Sequence, residues 1–171
     1  MAYNRGEIAA KALLQKFEIK TIPIDIIEIA KRKGLDVKPF DLGEVSGVLH
    51  INNDLGIIGF NPKDSKVRQR FTIAHELGHF QMHKSSSNLF IDNNFNQVYF
   101  RDKKSSTGEL IKEQEANAFA AAILMPQDLL TKEIENYKFD LSDESAFVDL
   151  ARLFNVSVQA MIYRISNLGL F

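Results

Sequence analysis

The stretch FTIAHELGHFQMH, residues 71–83, decides how this chain is read. It holds three of the four histidines, at positions 75, 79 and 83, with Glu76 directly after the first. Phe71, Ile73, Ala74, Leu77, Gly78 and Phe80 leave hardly any polar face except the motif itself. The spacing therefore predicts a largely buried helix over 66–83. Residues four apart on a helix stand one above the other, so His75 and His79 can aim a ring nitrogen each at one metal ion. Two imidazoles select zinc or a similar borderline metal. Glu76 lies about 100° around the helix from His75, which sets it beside the metal rather than on it, where a general base acting on a metal-activated water belongs. A bland alternative is a half-buried helix whose histidines are satisfied by hydrogen bonds and whose Glu76 is a solvated charge. The apolar flanks argue against it, because buried imidazoles and a buried carboxylate need partners.

A catalytic zinc takes three protein ligands and leaves a fourth position open. His83 continues the series, but eight residues turn its side chain by about 80° from His75 and lift it by about 12 Å along the axis. It fits a place behind the ligands or at the surface better. The longer pattern H-E-x-x-H-x-x-G-x-x-H is not followed, since Met82 stands at its glycine and Ser85 at its third histidine. A carboxylate from ELIKEQEANAFAAAILMP, residues 109–126, is the better third ligand. Helical periodicity puts Glu115 on the face of Ile111, Ala118, Phe119 and Ala122, and Glu113 on the face of Glu109, Ala116, Asn117 and Ala120. Glu115 is thus the carboxylate expected to point into the apolar interior, where a metal would offset the cost of burying it. The expected metal set is His75, His79 and Glu115, with Glu113 the alternative. Acidic residues in a helix's first turn are favoured by the dipole in any case, so their presence alone does not make them ligands.

Around these two segments the pattern is mixed. Residues 4–18 carry Ile8, Ala12, Leu13 and Phe17 at helical spacing, and a second helix is expected in 21–34, with Thr21 and Pro23 as start signals and Gly34 as its stop. LDVKPF, GVLHIN and LGIIGFN read as short strands, the last two turning at Asn52, Asn53 and Asp54, which predicts a small antiparallel sheet. LFIDNNFNQVYF reads as an irregular strand or hairpin. From Ser106 the signals are helical again, with Ser106 and Glu109 as a capping box and Pro126 as the end. Three further helices are expected in QDLLTKEIENY, SDESAFVDLARLF and VSVQAMIYRISNL. The expected class is α+β, mostly helical, in one domain over 1–171 with the helical segment 127–171 packed on it.

Composition narrows the function classes. With 171 residues, 45% hydrophobic and 25% charged, the chain is long enough for one real core. A formal charge of −1 gives no general attraction to phosphate backbones or anionic membranes. The absence of cysteine excludes disulfides and cysteine-type zinc sites. No segment has the apolar length of a signal peptide core or a membrane span, so a cytoplasmic protein is expected.

RFTIAHELGHF, followed some thirty residues later by EQEANAFAAAILMP, resembles the ImmA/IrrE family of zinc-dependent metallopeptidases. Asn61 and the closing LARLFNVSVQAMIYRISNLGL are similar to that family too, so the likeness covers about residues 20–168. The resemblance implies a compact gluzincin-like fold and zinc, with manganese as the second metal. It also implies an endopeptidase acting on a helix-turn-helix repressor of a phage or other mobile element, with Glu76 passing a proton from water to the leaving amine. Tyr99, Arg101 and Tyr137 have the chemistry to steady an oxyanion. VDLARLFNVSVQAMIYRISNL has the outline of a DNA-binding helix-turn-helix, but its second helix offers Gln159, Tyr163, Arg164 and Asn167 with a single positive charge, so direct DNA binding is not expected. The rival reading is a non-proteolytic, metal-containing regulator that binds and sequesters a repressor. Glu76 favours the peptidase, since a structural zinc needs no base at an open position.

Overall fold

The computed structural model describes residues 2–93, 107–137 and 144–170. In chain order they form α1 (Ala2–Lys16), α2 (Ile26–Arg32), β1 (Leu35–Pro39), β2 (Val45–Asn52), β3 (Leu55–Phe60), α3 (Lys66–His83), β4 (Leu89–Asn93), α4 (Thr107–Leu124), α5 (Gln127–Tyr137), α6 (Glu144–Phe154) and α7 (Val158–Leu168). This is the mostly helical α+β class expected. The second helix starts later than Thr21 and Pro23 suggested: Asp25 caps it by accepting from the Glu28 N–H at 3.0 Å. Its end is the expected one, with Gly34 at φ 85° donating to the Lys31 carbonyl at 2.9 Å. Ser65 caps α3 by accepting from the Arg68 N–H.

The sheet order is β1-β3-β2-β4. β2 and β3 form the expected hairpin, closed at the Asn52–Leu55 pair with Asn53 in the left-handed region at φ 57°, and β4 adds antiparallel to the other edge of β2. β1, however, pairs with β3 in parallel, Leu35 opposite Gly56 through Pro39 opposite Phe60. The sheet is therefore mixed rather than wholly antiparallel. The cause is the path of residues 40–44, which cross the end of β3 instead of turning back beside β1. Asn61 fixes that path: its Nδ2 donates to the carbonyls of Gly43 and Val45 at 2.9 and 3.1 Å, and its N–H to that of Ser46 at 2.9 Å.

α3 packs on β2 and β3 with one side and on α4 with another, and α1 covers the far side of α4. The contact of α3 with α4 needs a residue without a side chain. A Cβ on Gly78 would lie 3.1 Å from Phe119 Cδ1 and 3.3 Å from the Ala116 Cα. Ile73, Leu77, Phe119, Ile123 and Leu124 are all buried there, each contributing about 1.5–3 kcal/mol of hydrophobic stabilisation. Arg164 of α7 ties the chain's two ends together. Its Nη atoms donate to both oxygens of Glu7 at 2.7 Å, and its Nε donates to the Met125 carbonyl at 2.9 Å. The one cation of the expected second helix of a helix-turn-helix thus points inward. No helix among the described residues is long and apolar enough to cross a membrane.

Candidate metal centre

His75 and His79, one turn apart on α3, present their Nε2 atoms to each other at 3.0 Å. Glu113 of α4 faces both: Oε2 is 3.2 Å from His75 Nε2 and Oε1 is 3.2 Å from His79 Nε2. Among the described residues this is the trio whose ligand atoms converge closely enough for one ion. The two histidines are buried, while the Glu113 side chain keeps 41% of its exposure, so the cluster opens to solvent on the carboxylate side. Its spacing fits a metal. Nitrogen and oxygen ligands at about 2.1 Å in a tetrahedron lie about 3.4 Å from one another, close to the separations here.

The electrostatics lead to the same place. Two imidazole lone pairs and a carboxylate repel unless a cation or a proton lies between them. Burial pulls His75 down, but its hydrogen bond to Glu113 and the charges of Glu76, Glu113 and Asp92 carry it above the ordinary histidine range. Burial holds His79 down at about 4. Desolvation raises Glu113, yet its hydrogen bonds to His75 and His79 outweigh that and keep it well below the usual carboxylate range.

Glu115 is not brought to this cluster. Its Oε2 is 2.8 Å from His83 Nε2, and its Oε1 accepts from Arg5 Nη1 at 2.8 Å. The expectation that the buried carboxylate is the ligand assumed one buried face on this helix. α4 is covered on two, and Glu115 lies where both coverings meet, between Arg5 of α1 and His83 at the end of α3, while Glu113 and Asn117 face His75 and, in the case of Glu113, His79. Glu113 is the alternative weighed from the sequence, and it is the carboxylate whose oxygens face both histidines. His83, as expected, does not join the ligand atoms and lies behind His79, with the two Nδ1 atoms 3.1 Å apart.

Sequence reasoning missed what holds the ligands. Asn117 Oδ1 accepts from His75 Nδ1 at 2.9 Å, and Phe90 of β4 stacks on the His79 ring with centroids 4.6 Å apart. Asn117 follows Glu113 by four residues on an alanine-rich face, a polar pair that signals a shared neighbour. Phe90 carries no such local sign.

Glu76 is fully buried, and neither of its oxygens has a hydrogen-bond partner among the described residues. Burial pushes its pKa up to about 8; His75 pulls it down, while Asp92 and Glu113 push it further up. Room for it comes from Gly47 of β2, where a Cβ would overlap Thr72 Cγ2 and stand 3.0 Å from Glu76 Oε1. Asp92 of β4 is a second buried carboxylate beside the site, 3.9 Å from Arg68 and raised chiefly by desolvation. Tyr99 and Arg101 lie outside the described residues, as does the side chain of Tyr137.

Comparison with known proteins places this site in a family. The profile described as the IrrE N-terminal-like domain, a peptidase family, matches residues 30–166. The chain is 27% identical over 147 residues to the protein named metallopeptidase ImmA of Bacillus subtilis, covering 86% of this chain and 78% of that one. It is 28% identical over 142 residues to an immunity region protein of Bacillus phage phi105, covering 82% and 83%. To the radiation response metalloprotease IrrE of Deinococcus radiodurans it is 28% identical over 134 residues, 78% of this chain but 37% of that protein. A Mycobacterium tuberculosis transcriptional regulator shares the fold, with a TM-score of 0.60 at 19% identity over 94% of this chain and 46% of its own. With the profile spanning both the histidine helix and the carboxylate helix that faces it, the chain belongs to the IrrE N-terminal-like family of peptidases.

Proposed function

We propose that the protein is a zinc endopeptidase that cuts a helix-turn-helix repressor of a phage or other mobile element in the cytoplasm, with His75, His79 and Glu113 holding the metal and Glu76 as general base. The observation that carries it is Glu76: a buried carboxylate with no hydrogen-bond partner among the described residues, directly beside three converging ligand atoms. A structural metal site has no use for such a group, whereas a hydrolase does. A zinc ion bound there supplies Lewis acidity, making water acidic enough to ionise near neutral pH and polarising the scissile carbonyl. Glu76 takes the proton from the attacking water and returns it to the leaving amine. Burial raises its pKa and a neighbouring zinc ion would draw it back toward the working pH, where a base accepts and releases a proton with little loss. Asn117 and His83 keep the histidine rings turned to the site, and the exposed side of Glu113 leaves an approach for an extended peptide. Manganese is the second metal this donor set accepts. The whole chain, 1–171, forms one such unit with 127–171 packed on its body, a placement supported by the Arg164–Glu7 pair.

The repressor reading is supported by the phage immunity-region relative. The test is to incubate the purified protein, loaded with zinc, with the repressor encoded beside its gene, in parallel with Glu76→Gln, and to read the products by mass spectrometry. A cut that needs both zinc and Glu76 is expected. An intact repressor bound tightly by both proteins would replace this reading with the sequestering regulator.

A further inference from the structure

We propose that His83 and Glu115 form a positioning chain that fixes the ring tautomer of His79, with Arg5 anchoring its outer end; this rests on the metal-site reading above. The argument is a proton count. The Glu115 carboxylate only accepts, so His83 Nε2, 2.8 Å from Oε2, carries the hydrogen. A neutral His83 then has its lone pair on Nδ1. That atom is 3.1 Å from His79 Nδ1, so His79 donates there and its own Nε2 is left with a bare lone pair facing His75 and Glu113. Every hydrogen in the chain is assigned by the residue outside it.

His75 reaches the same state in one step, by donating from Nδ1 to Asn117. The two candidate ligands thus have separate locks, one an amide on α4 and the other a histidine backed by a carboxylate. His83 and Glu115 are 5% and 2% exposed, so water does not replace either contact. Placing the carboxylate one residue further out has an electrostatic result. It orients His79 without adding a second full negative charge directly behind the ring, and the Arg5 guanidinium, 2.8 Å away and 65% exposed, balances it at the surface. Without His83, His79 Nδ1–H has no acceptor. The ring can then carry its proton on Nε2, where the proton competes with the ion.

The test is zinc affinity of the intact chain, measured by competition with a chromophoric chelator. His83→Phe keeps a ring but no acceptor, whereas His83→Gln carries both an acceptor and a donor. His83→Phe is expected to weaken zinc binding by about 10–100-fold, and His83→Gln to stay within about threefold of the parent. Nitrogen NMR of the histidine rings in metal-free protein should show the Nδ1-protonated form of His79 in the parent and the Gln variant, and its loss in the Phe variant. Equal affinity of the Phe variant and the parent, or a Gln variant as weak as Phe, overturns the proposal. Should His83→Phe fail to fold, Glu115→Leu against Glu115→Gln gives the same contrast, with Leu losing affinity and Gln keeping it. Failure of the underlying metal site is seen separately, as a parent chain that takes up no zinc, and it would remove both readings.

Discussion

At the scale of single residues, two glutamates two positions apart have opposite fates. Glu113 faces His75 and His79, and Glu115 is held by His83 and Arg5. Glu113→Ala should weaken zinc binding by at least about a hundredfold, the loss of one of three ligands, while Glu115→Gln should still bind one zinc per chain. Zinc stoichiometry after dialysis separates the two, and a Glu115→Gln protein that emerges metal-free would restore the carboxylate first favoured from periodicity. Glu76 gives a prediction in pH. Its ordinary pKa near 4.5 is raised to about 8 in the folded, metal-free protein, with burial the main cause. The folded form then holds a proton that the unfolded form has released, so this group's contribution to stability is intact below pH 4.5 and is lost as pH rises to about 8. Glu76→Gln does not titrate. It should abolish cutting, yet melt higher than the metal-free parent, with an advantage that grows from pH 5 to pH 8 to about 10 °C. A difference in melting temperature that stays flat over that range would show that Glu76 is charged throughout.

At the scale of elements, what was legible depended on how local the physics was. His75, Glu76 and His79 share one helix, so four-residue spacing alone brings the two rings together. The third ligand depended on which side of α4 meets α3, and periodicity ranks faces only when one of them is buried. Ala116 and Ala120 on one side and Ala118 and Ala122 on the other are all buried, so the pattern held no preference. The parallel pairing of β1 was equally out of reach, because it is settled by Asn61 holding the loop that precedes β2, a contact across sixteen to eighteen residues. Strand β2 matters to the site through Gly47, which lets the sheet close on Thr72 and Glu76. Gly47→Ala should cost about 1–3 kcal/mol, the usual penalty for overpacking a tight contact. Since the added methyl meets Thr72 first and also presses on Glu76, the peptidase rate should fall by more than the melting temperature suggests. Circular dichroism melts beside rate measurements on the zinc-loaded variant would check this, and a stable, fully active Gly47→Ala would mean the sheet has slack at this point.

At the scale of the whole molecule, the chain's ends are joined to its centre, and the metal should strengthen the same assembly. Arg164 is buried and paired with Glu7 across 157 positions, so Glu7→Ala takes the carboxylate from a buried guanidinium and should cost about 3 kcal/mol. That loss should appear in the melting temperature and leave zinc affinity unchanged, because the pair lies outside the ligand cluster. The metal acts differently. His75 and His79 belong to α3 and Glu113 to α4, so an ion held by all three would join two helices, each of which packs on a further layer. Unfolding then requires the ion to leave. At free zinc a thousandfold above its dissociation constant, the folded state gains about 4 kcal/mol, which for a chain of this size is about 8–16 °C in melting temperature. Removing zinc with a chelator should lower the parent's melting temperature by that amount, and restoring zinc should return it. Glu76→Gln should show the full shift, since the base is not a ligand, whereas Glu113→Ala and His75→Ala should show little of it. A parent whose melting temperature ignores zinc, under conditions where it binds the ion, would mean that the ligands stay together in the unfolded chain or that α3 and α4 do not separate on unfolding.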